Sequence, residues 1–273
     1  MSLRGLVGIV AGASGGIGSA TALALAKAGV HLVLAAPADD ALTEVTQRLQ
    51  GGEVRVIAVP TDLTKRDEVD ALVAKAVAEF GRIDILANIA GVGSSPSLCD
   101  SSDEEIERVI AVNLLGPARL IHAVLPVMKA QHRGWIVNVG SIAGEVGVMG
   151  MYTASKFGLR GLTDSVRREV RSENISVTLI QPGFVRTSMN AAMGDRLPGP
   201  EIVANAIVQA VKRRKRDRIV PSSYLLPVYL AKLFPGLTDL VFGNARIQER
   251  LNRDARAARN GSINARFQSE DTI

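Results

Sequence analysis

Gly12-Ala13-Ser14-Gly15-Gly16-Ile17-Gly18 follows the apolar run Leu6–Ala11 and leads straight into a helical pattern that ends at Gly29. Glycines at such a junction let the backbone turn tightly and approach a phosphate closely. The N-terminus of the following helix offers free N–H groups and the positive end of the helix dipole. The turn therefore predicts an anion site, with a glycine spacing that is looser than the common dinucleotide-binding fingerprint.

Short apolar runs recur along the chain, each separated from the next by a helical pattern. Most are apolar on both faces, as parallel strands covered on both sides are. This alternation predicts the α/β class: a single Rossmann-like, doubly wound domain with a seven-stranded parallel sheet flanked by helices. Ligands of such sheets bind at the carboxyl ends of the strands. The predicted strands are Leu6–Ala11, Val30–Ala35, Val54–Val59, Ile83–Asn88, Trp135–Gly140, Ile175–Gln181 and Arg218–Val220.

Two predicted helices begin at residues with the spacing of a capping box, in which two side chains bond each other's backbone N–H groups. These pairs are Thr64 with Asp67 and Ser102 with Glu105. The helix after Thr64 is expected to end at Gly81, because glycine adopts the left-handed conformation that follows many helices.

The composition is that of an ordinary globular protein, with 47% hydrophobic and 22% charged residues among 273. The one cysteine, Cys99, excludes an internal disulfide and a cysteine-rich metal site, so no metal is predicted. The opening Met1–Arg4 lacks the apolar stretch of a secretory signal. These features predict a cytoplasmic protein.

The formal net charge of +5 comes from a single stretch of sequence, Lys212–Arg218, which we call the basic run. It holds six cations and one aspartate, a net charge of +5, so the rest of the chain sums to zero. Without interleaved aromatic residues or a groove-reading element, this run does not indicate a nucleic-acid partner.

The glycine turn has two rival interpretations. Gly12, Ser14 and Gly16 also satisfy G-x-S-x-G, the nucleophile elbow of α/β hydrolases. A hydrolase needs a histidine late in the chain, whereas the last histidine here, His132, lies before mid-chain. A purely structural turn that binds nothing is the second alternative on this motif alone.

A second group of residues carries reactive chemistry. Tyr152 and Lys156 are four residues apart at the start of a predicted helix, hence on the same face. An ammonium beside a phenol favours the phenolate and is expected to lower the pKa of the tyrosine toward neutrality. Ser141 ends the fifth predicted strand, so its hydroxyl lies at the carboxyl edge of the sheet.

Taken together, these residues resemble the short-chain dehydrogenase/reductase family from about Leu6 to Val220. The resemblance rests on motifs in family order and in matching structural contexts. They are the glycine turn, Asp62, Asn88-Ile89-Ala90-Gly91, Asn113, Ser141, Tyr152-Thr153-Ala154-Ser155-Lys156, Pro182-Gly183 and Thr187.

The resemblance implies an NAD(P)-dependent oxidoreductase that interconverts a carbonyl compound and its alcohol. Tyr152 is then the general acid or base, and Lys156 holds the nicotinamide ribose and depresses the pKa of the tyrosine. Ser141 hydrogen-bonds the substrate oxygen, and Asn113 holds a water that relays protons to Lys156. The serine role falls to Ser141 although the segment to Tyr152 is two residues shorter than usual, because 142–151 holds no other hydroxyl side chain.

The resemblance also implies a set of dinucleotide contacts. The cofactor is NAD or NADP, because Leu34-Ala35-Ala36-Pro37 carries neither an acid for a ribose hydroxyl nor an arginine for a 2′-phosphate. The implied contacts are Gly12, Ser14, Gly15, Gly16, Ile17, Gly18, Asp62, Leu63, Asn88, Ala90, Gly91, Tyr152, Lys156, Pro182, Gly183 and Thr187.

We divide the chain into a catalytic domain, 1–221, and a C-terminal extension, 222–273, that is apolar, then amphipathic, and frays at its end. Within the first, 186–200 is expected to form a mobile substrate lid. The two methionines of the lid and the apolar extension favour a lipophilic substrate.

The family resemblance further implies a homodimer or homotetramer. The segment 212–242, basic and then apolar, suggests peripheral contact with a membrane surface. A non-catalytic alternative is a dinucleotide-binding scaffold or sensor that uses the extension for a partner or membrane.

Overall fold

The computed structural model describes residues 1–95, 97–193, 196–244, 247 and 249, with only the backbone described for 191–193. Seven strands, all parallel, form one sheet in the order β3-β2-β1-β4-β5-β6-β7, which confirms the predicted fold class. Every predicted strand is present with bounds shifted by two residues or fewer. The bounds are β1 Val7–Ala11, β2 His31–Ala36, β3 Val56–Pro60, β4 Ile85–Asn88, β5 Gly134–Val139, β6 Ile175–Pro182 and β7 Asp217–Val220.

Helices cover both faces of the sheet, and the strand order reverses between β1 and β4, where a ligand crevice is expected. A π-helical turn, Ala111–Leu115, joins two of the helices into one continuous run. The helices are α1 Gly16–Lys27, α2 Asp40–Leu49, α3 Arg66–Phe80, α4 Asp103–Ile110, α5 Gly116–Ala130, α6 Gly150–Glu169, α7 Glu201–Arg213, α8 Leu225–Leu233 and α9 Pro235–Phe242.

The core consists of two apolar layers, one on each face of the sheet. Successive residues of β1 point to opposite layers: Val10 belongs to the first, and Ile9 and Ala11 to the second. This arrangement explains why β1 is fully buried and reads as a continuous apolar run. Helices α1, α2 and α7 cover the first layer, and α3, α5 and α6 cover the second.

Of the two predicted capping boxes, only the one at Ser102 provides a side-chain cap for its helix. Ser102 caps α4 by accepting a hydrogen bond from the Glu105 N–H, but the Glu105 carboxylate accepts from the Ser95 N–H instead of returning to Ser102. The Thr64 box is wrong: α3 begins at Arg66 without a side-chain cap. The Thr64 hydroxyl donates to Asp62 (2.7 Å), because a threonine two residues after an aspartate can close a local turn.

One continuous helix, Asp103–Ala130, is long and apolar enough to cross a bilayer by length and composition. Among the described residues, Ser222–Leu233 and Pro235–Phe242 reach that length and apolarity only when the two segments are taken together, and a bend of 107° separates them. In Asp103–Ala130, 44% of the apolar 18-residue stretch is buried inside the protein, and the α5 part packs in the second core layer. That helix is therefore accounted for as a core helix.

The basic run reaches into the first residues of β7, whereas the C-terminal helices follow the carboxyl end of that strand. Arg214 stacks over the Trp135 ring at the start of β5 and donates to Asn174, which precedes β6. β7 is the edge strand beside β6, and it ends at Val220, from which the chain passes into α8. Arg160 pairs with both Asp217 of the run and Glu145, and Glu145 also pairs with Lys232 of α8. Contact of 212–242 with a membrane surface stays a prediction. The tail from Asn244 onward, predicted to be amphipathic and frayed, lies almost wholly outside the described residues.

Candidate active site

A cleft opens at the carboxyl ends of the strands, over the reversal of strand order. All but two of the predicted site residues line this one cleft; Asn88 and Asn113 do not. Those on its wall are Gly12, Ser14, Gly15, Gly16, Ile17, Gly18, Asp62, Leu63, Ala90, Gly91, Ser141, Tyr152, Lys156, Pro182, Gly183 and Thr187. Sequence reasoning missed apolar lining residues, among them Val92, Val112 and Val139.

The glycine turn is compact because its backbone packs on itself. Gly12 has a φ of +89°, and a Cβ there would lie 2.5 Å from the backbone nitrogen of Ala90. A Cβ on Gly18 would lie 1.8 Å from the Gly12 carbonyl oxygen. Gly15 caps α1 without a side-chain hydrogen bond, so no side chain occupies the N–H groups of the first turn. The turn therefore fits the diphosphate of a dinucleotide.

We expect Gly12→Ala to lower the free energy of unfolding by about 3 kcal/mol, because the methyl group meets rigid backbone at a positive φ. Gly15→Ala is the matched control: its φ is −75° and its nearest atom lies 3.6 Å from the new Cβ. The control is expected to change stability by about 0.5 kcal/mol or less. Urea denaturation measures both, and equal effects would contradict this account of the turn.

Asp62 is fixed at the end of β3 by its own loop. Its carboxylate accepts hydrogen bonds from the backbone N–H (2.9 Å) and the hydroxyl of Thr64. The hydroxyl bond is the main reason that the pKa of Asp62 is lower than usual. An ionised carboxylate is thus held on the cleft wall beside Leu63, which is itself buried against Gly116.

Ser141 and Tyr152 meet at the other end of the cleft. Ser141 follows β5, and its Oγ accepts from the Ala143 N–H (3.1 Å), which leaves its hydroxyl hydrogen free to donate. The Ser141 hydroxyl also bonds the phenol of Tyr152 and thereby lowers its pKa. The Tyr152 N–H donates to Ser94 Oγ (3.0 Å), a contact that sequence reasoning missed because the two residues are 58 positions apart.

Lys156 lies on α6 one turn after Tyr152, with its ammonium buried. Its Nζ donates to the Val139 carbonyl oxygen (3.1 Å) and lies 5.7 Å from the centroid of the Tyr152 ring. Burial lowers the pKa of Lys156 from 10.5 to about 8. Burial also raises the pKa of the Tyr152 phenol above 10.0, and this outweighs the Ser141 bond. The expected depression of the tyrosine pKa is therefore wrong for this structure, because desolvation dominates.

Asn113 lies in the π-helical turn rather than inside α4, and it is buried behind the cleft. Its amide accepts from the Val92 N–H (2.8 Å) and donates to the Val92 carbonyl and to Ser155 Oγ. Both N–H groups are therefore used within the protein. A Cβ on Gly91 would lie 3.4 Å from both Asn113 Oδ1 and Lys156 Nζ. The asparagine thus fixes the loop after β4 beside the lysine.

Asn88 points into the sheet instead of the cleft. Its Nδ2 donates to Asn138 Oδ1 (2.8 Å), and Asn138 in turn donates to Thr163 Oγ1 (2.8 Å). These three buried groups join β4, β5 and α6. The Asn88 side chain therefore has a structural role, whereas the neighbouring Ala90 and Gly91 face the cleft. The dinucleotide contact of Asn88 stays a prediction.

The predicted lid begins as a 3₁₀ segment, Ser188–Met193. Met189 covers Gly93, on which a Cβ would lie 3.9 Å from the methionine Cγ. Residues 194 and 195 of the lid lie outside the described residues. The described part thus closes over the loop that follows β4, on the side of the cleft that holds Tyr152.

Comparison with known proteins agrees with this fold. The sequence profile of the family described as short chain dehydrogenase matches residues 7–197. An uncharacterised oxidoreductase of Staphylococcus haemolyticus is 38% identical over 214 residues, covering 77% of this chain and 92% of that protein. A 3-oxoacyl-[acyl-carrier-protein] reductase of Escherichia coli is 33% identical, covering 76% and 90%. The chain belongs to the short-chain dehydrogenase/reductase family.

Solved structures give the same result. A short-chain dehydrogenase/reductase from Burkholderia phymatum, in complex with NAD, has a TM-score of 0.80 and 28% identity, covering 87% of this chain and 96% of that one. A metagenomic short-chain oxidoreductase in complex with NADP has a TM-score of 0.71 and 33% identity, covering 81% and 98%. The protein is accordingly an oxidoreductase that depends on NAD or NADP.

Proposed function

We propose that the chain interconverts a lipophilic carbonyl compound and its alcohol, with Tyr152, Lys156, Ser141 and Asn113 as its working residues. The observation that carries this proposal is the convergence of the Ser141 hydroxyl, the Tyr152 phenol and the Lys156 ammonium at one end of the cleft. The glycine turn, which fits a diphosphate, lies along the same cleft.

In the reducing direction, a reduced dinucleotide held along the cleft would supply the hydride that adds to the carbonyl carbon. Tyr152 donates its phenolic proton to the carbonyl oxygen, so the alcohol forms with both hydrogens accounted for. Ser141 donates a hydrogen bond to the same oxygen, where negative charge develops. The resulting phenolate is stabilised by the nearby ammonium and recovers its proton from solvent. Oxidation of the alcohol reverses each step.

Lys156 uses one N–H for the Val139 carbonyl and has two left to hold ribose hydroxyls. Asn113 keeps the loop at Val92 against this lysine. Because both amide N–H groups of Asn113 are used, the water proposed to relay protons to Lys156 has to be held through an oxygen of Asn113.

The substrate class is tested by a reduction panel with purified protein. Lipophilic ketones, aldehydes and 3-oxoacyl thioesters belong in it, the last because relatives include 3-oxoacyl-[acyl-carrier-protein] reductases. We expect dinucleotide oxidation, followed at 340 nm, with apolar members of the panel, and none with compounds that lack a carbonyl group. Turnover confined to small polar carbonyls would contradict the lipophilic assignment.

We expect NADH to bind about tenfold more tightly than NADPH. Among the described residues that line the cleft, Lys156 is the one lysine or arginine. Its ammonium bonds Val139 of β5, which is three strands away from β2, the strand that ends at Ala36. A 2′-phosphate near Ala36 and Pro37 thus finds no lysine or arginine nearby on the described wall. The next charged residue along the chain is Asp39, whose carboxylate has the same sign of charge as the phosphate.

Calorimetric titration measures both dinucleotides. Pro37→Arg should raise the affinity for NADPH, whereas Gln47→Arg, which adds the same charge on the exposed side of α2, should not. Tighter binding of NADPH by the wild type would contradict this expectation.

The non-catalytic alternative rests on the outer surface of α8 and α9. Leu226, Leu233 and Leu240 are among their exposed apolar side chains, each about 70% exposed. Such a surface suits a membrane interface or a partner. Liposome co-sedimentation of the full chain and of Leu233→Glu distinguishes these uses: loss of lipid binding in the variant supports the membrane, and no binding by either protein excludes it.

Homodimer or homotetramer formation is also proposed, with Phe157 as the supporting observation. This aromatic side chain of α6 is 43% exposed, next to Lys156. Native mass spectrometry should show dimers or tetramers of the wild type and a lower state for Phe157→Asp. A monomeric wild type would overturn the assignment.

A further inference from the structure

Glu145 is a buried carboxylate that the proposed mechanism does not use. It directly follows the short 3₁₀ turn Ile142–Gly144 after Ser141, and its side chain is only 3% exposed. Two cations from separate helices reach it. Arg160 of α6 contacts one carboxylate oxygen, and Lys232 Nζ of α8 lies 2.5 Å from the other. A buried carboxylate without such partners is strongly unfavourable, so these cations hold it in place.

On one side, Glu145 attaches the serine turn to the catalytic helix. A Cβ on Gly144 would lie 2.9 Å from the Lys156 carbonyl oxygen, so the turn packs directly on the backbone of α6. Arg160, one helical turn beyond Lys156, also reaches Gln181 of β6 (3.4 Å). The turn, α6 and β6 are therefore held together around one buried charge.

On the other side, Glu145 attaches α8 to the same turn. The Tyr224 ring, just before α8, lies on the backbone of Gly183, where a Cβ would be 2.3 Å from the ring. Val228 in the middle of α8 is buried, and Lys232 near its end contacts Glu145. Three contacts at successive turns thus fix α8 against the edge of the cleft, although α8 itself does not line it.

We propose that α8 braces the serine turn through the Lys232–Glu145 ion pair, and that Glu145 is a positioning residue for Ser141. The inference deepens the proposed function and rests on it, since the value of the brace is that Ser141 orients the substrate oxygen. The first part of the C-terminal extension is thereby a component of the catalytic unit.

Hydrogen–deuterium exchange of the full chain tests the brace. The amides of Ala143, Gly144, Glu145 and Val146 all donate hydrogen bonds within the turn, so their exchange reports its opening. The variants are Lys232→Met, which removes the cation, and Lys232→Arg, which keeps it. Lys129→Met is the matched control: Lys129 is similarly exposed (38% against 44%) and pairs at 3.3 Å with Glu169, which is itself exposed.

We expect these four amides to exchange about tenfold faster in Lys232→Met, and less than twofold faster in Lys232→Arg and Lys129→Met. The double variant Glu145→Gln/Lys232→Met should exchange these amides at the same rate as Glu145→Gln alone, because the lysine then has no carboxylate to pair with. Unchanged exchange in Lys232→Met, or an equal rise in the Lys129→Met control, would overturn the proposal.

Two further readouts separate this inference from the proposed function. NADH affinity should be the same within twofold in all the lysine variants, because neither Lys232 nor Lys129 lines the cleft. For a ketone turned over by the wild type, Lys232→Met should lower kcat more than it changes KM, and Lys232→Arg should restore it. A wild type that binds no dinucleotide refutes the proposed function but leaves the exchange result standing.

Discussion

Replacing Tyr152 with phenylalanine lowers turnover about 10³-fold while the fold and NADH binding are retained. The phenylalanine ring fills the same space on α6, so little packing is lost. What disappears is the phenolic proton, and no other side chain near Ser141 on the described cleft wall is placed to supply one at neutral pH. The Lys156 ammonium is the nearest alternative, but one of its N–H groups bonds the Val139 carbonyl and the other two are proposed to hold the ribose hydroxyls.

The measurement is steady-state turnover at saturating NADH, with calorimetric NADH titration on the same preparation. Tyr229→Phe is the matched control, because Tyr229 lies on α8 with its side chain 59% exposed. It should leave turnover unchanged. If Tyr152→Phe retains normal turnover in folded protein, Tyr152 is not the proton donor.

Lys156→Met has two opposite effects. Turnover should fall about 10²-fold or more, because the cation that stabilises the Tyr152 phenolate is lost. Stability at pH 7 should rise by about 1–2 kcal/mol. A lysine whose pKa is lowered to about 8 by burial destabilises the folded state when it is charged, and this outweighs the lost hydrogen bond to the Val139 carbonyl.

The pH dependence of stability follows from the same pKa. Between pH 8 and 10.5 the unfolded chain keeps the Lys156 proton that the folded chain has lost. The unfolded state binds more protons there, so the free energy of unfolding contributed by this group rises with pH and levels off above 10.5. Urea denaturation of wild type and Lys156→Met across this range should show the slope only in the wild type. Parallel curves would contradict a buried, charge-destabilised lysine.

The fold could be predicted from sequence because its signals are local. Doubly buried parallel strands read as continuous apolar runs, and glycines mark the ends of α1 and α3, so all seven strands were found. The failures at helix ends have a local cause too. Thr64 bonds Asp62 instead of capping α3, since a short polar side chain can satisfy either partner and sequence does not decide between them.

The site was predictable where the backbone alone determines the position of a residue. Gly12 and Gly18 occupy positions of the turn where the backbone leaves no room for a Cβ, so the glycines themselves mark the turn. Ser141 and Tyr152 lie near the end of β5 and the start of α6, at the carboxyl side of the sheet. Side-chain direction was less accessible: Asn88 turns into the sheet to meet Asn138. The pKa of Tyr152 depends on burial, and no spacing of residues reports that.

Contacts between distant segments were the least predictable. Nothing in the sequence pairs Glu145 with Lys232, which is 87 positions away. Nor does any sequence pattern pair Arg160 with Asp217 of β7, although the two side chains approach to 3.9 Å.

Hydrogen–deuterium exchange of the full chain with and without saturating NADH tests the central claim most directly. The account predicts slower exchange on adding NADH at the four strand ends that meet in the cleft: 12–18, 89–92, 139–144 and 182–190. Segments at the opposite edge, such as 171–175 and 212–217, should be unaffected. Absence of protection, or protection confined to that opposite edge, would contradict the assignment of this cleft as the dinucleotide and active site.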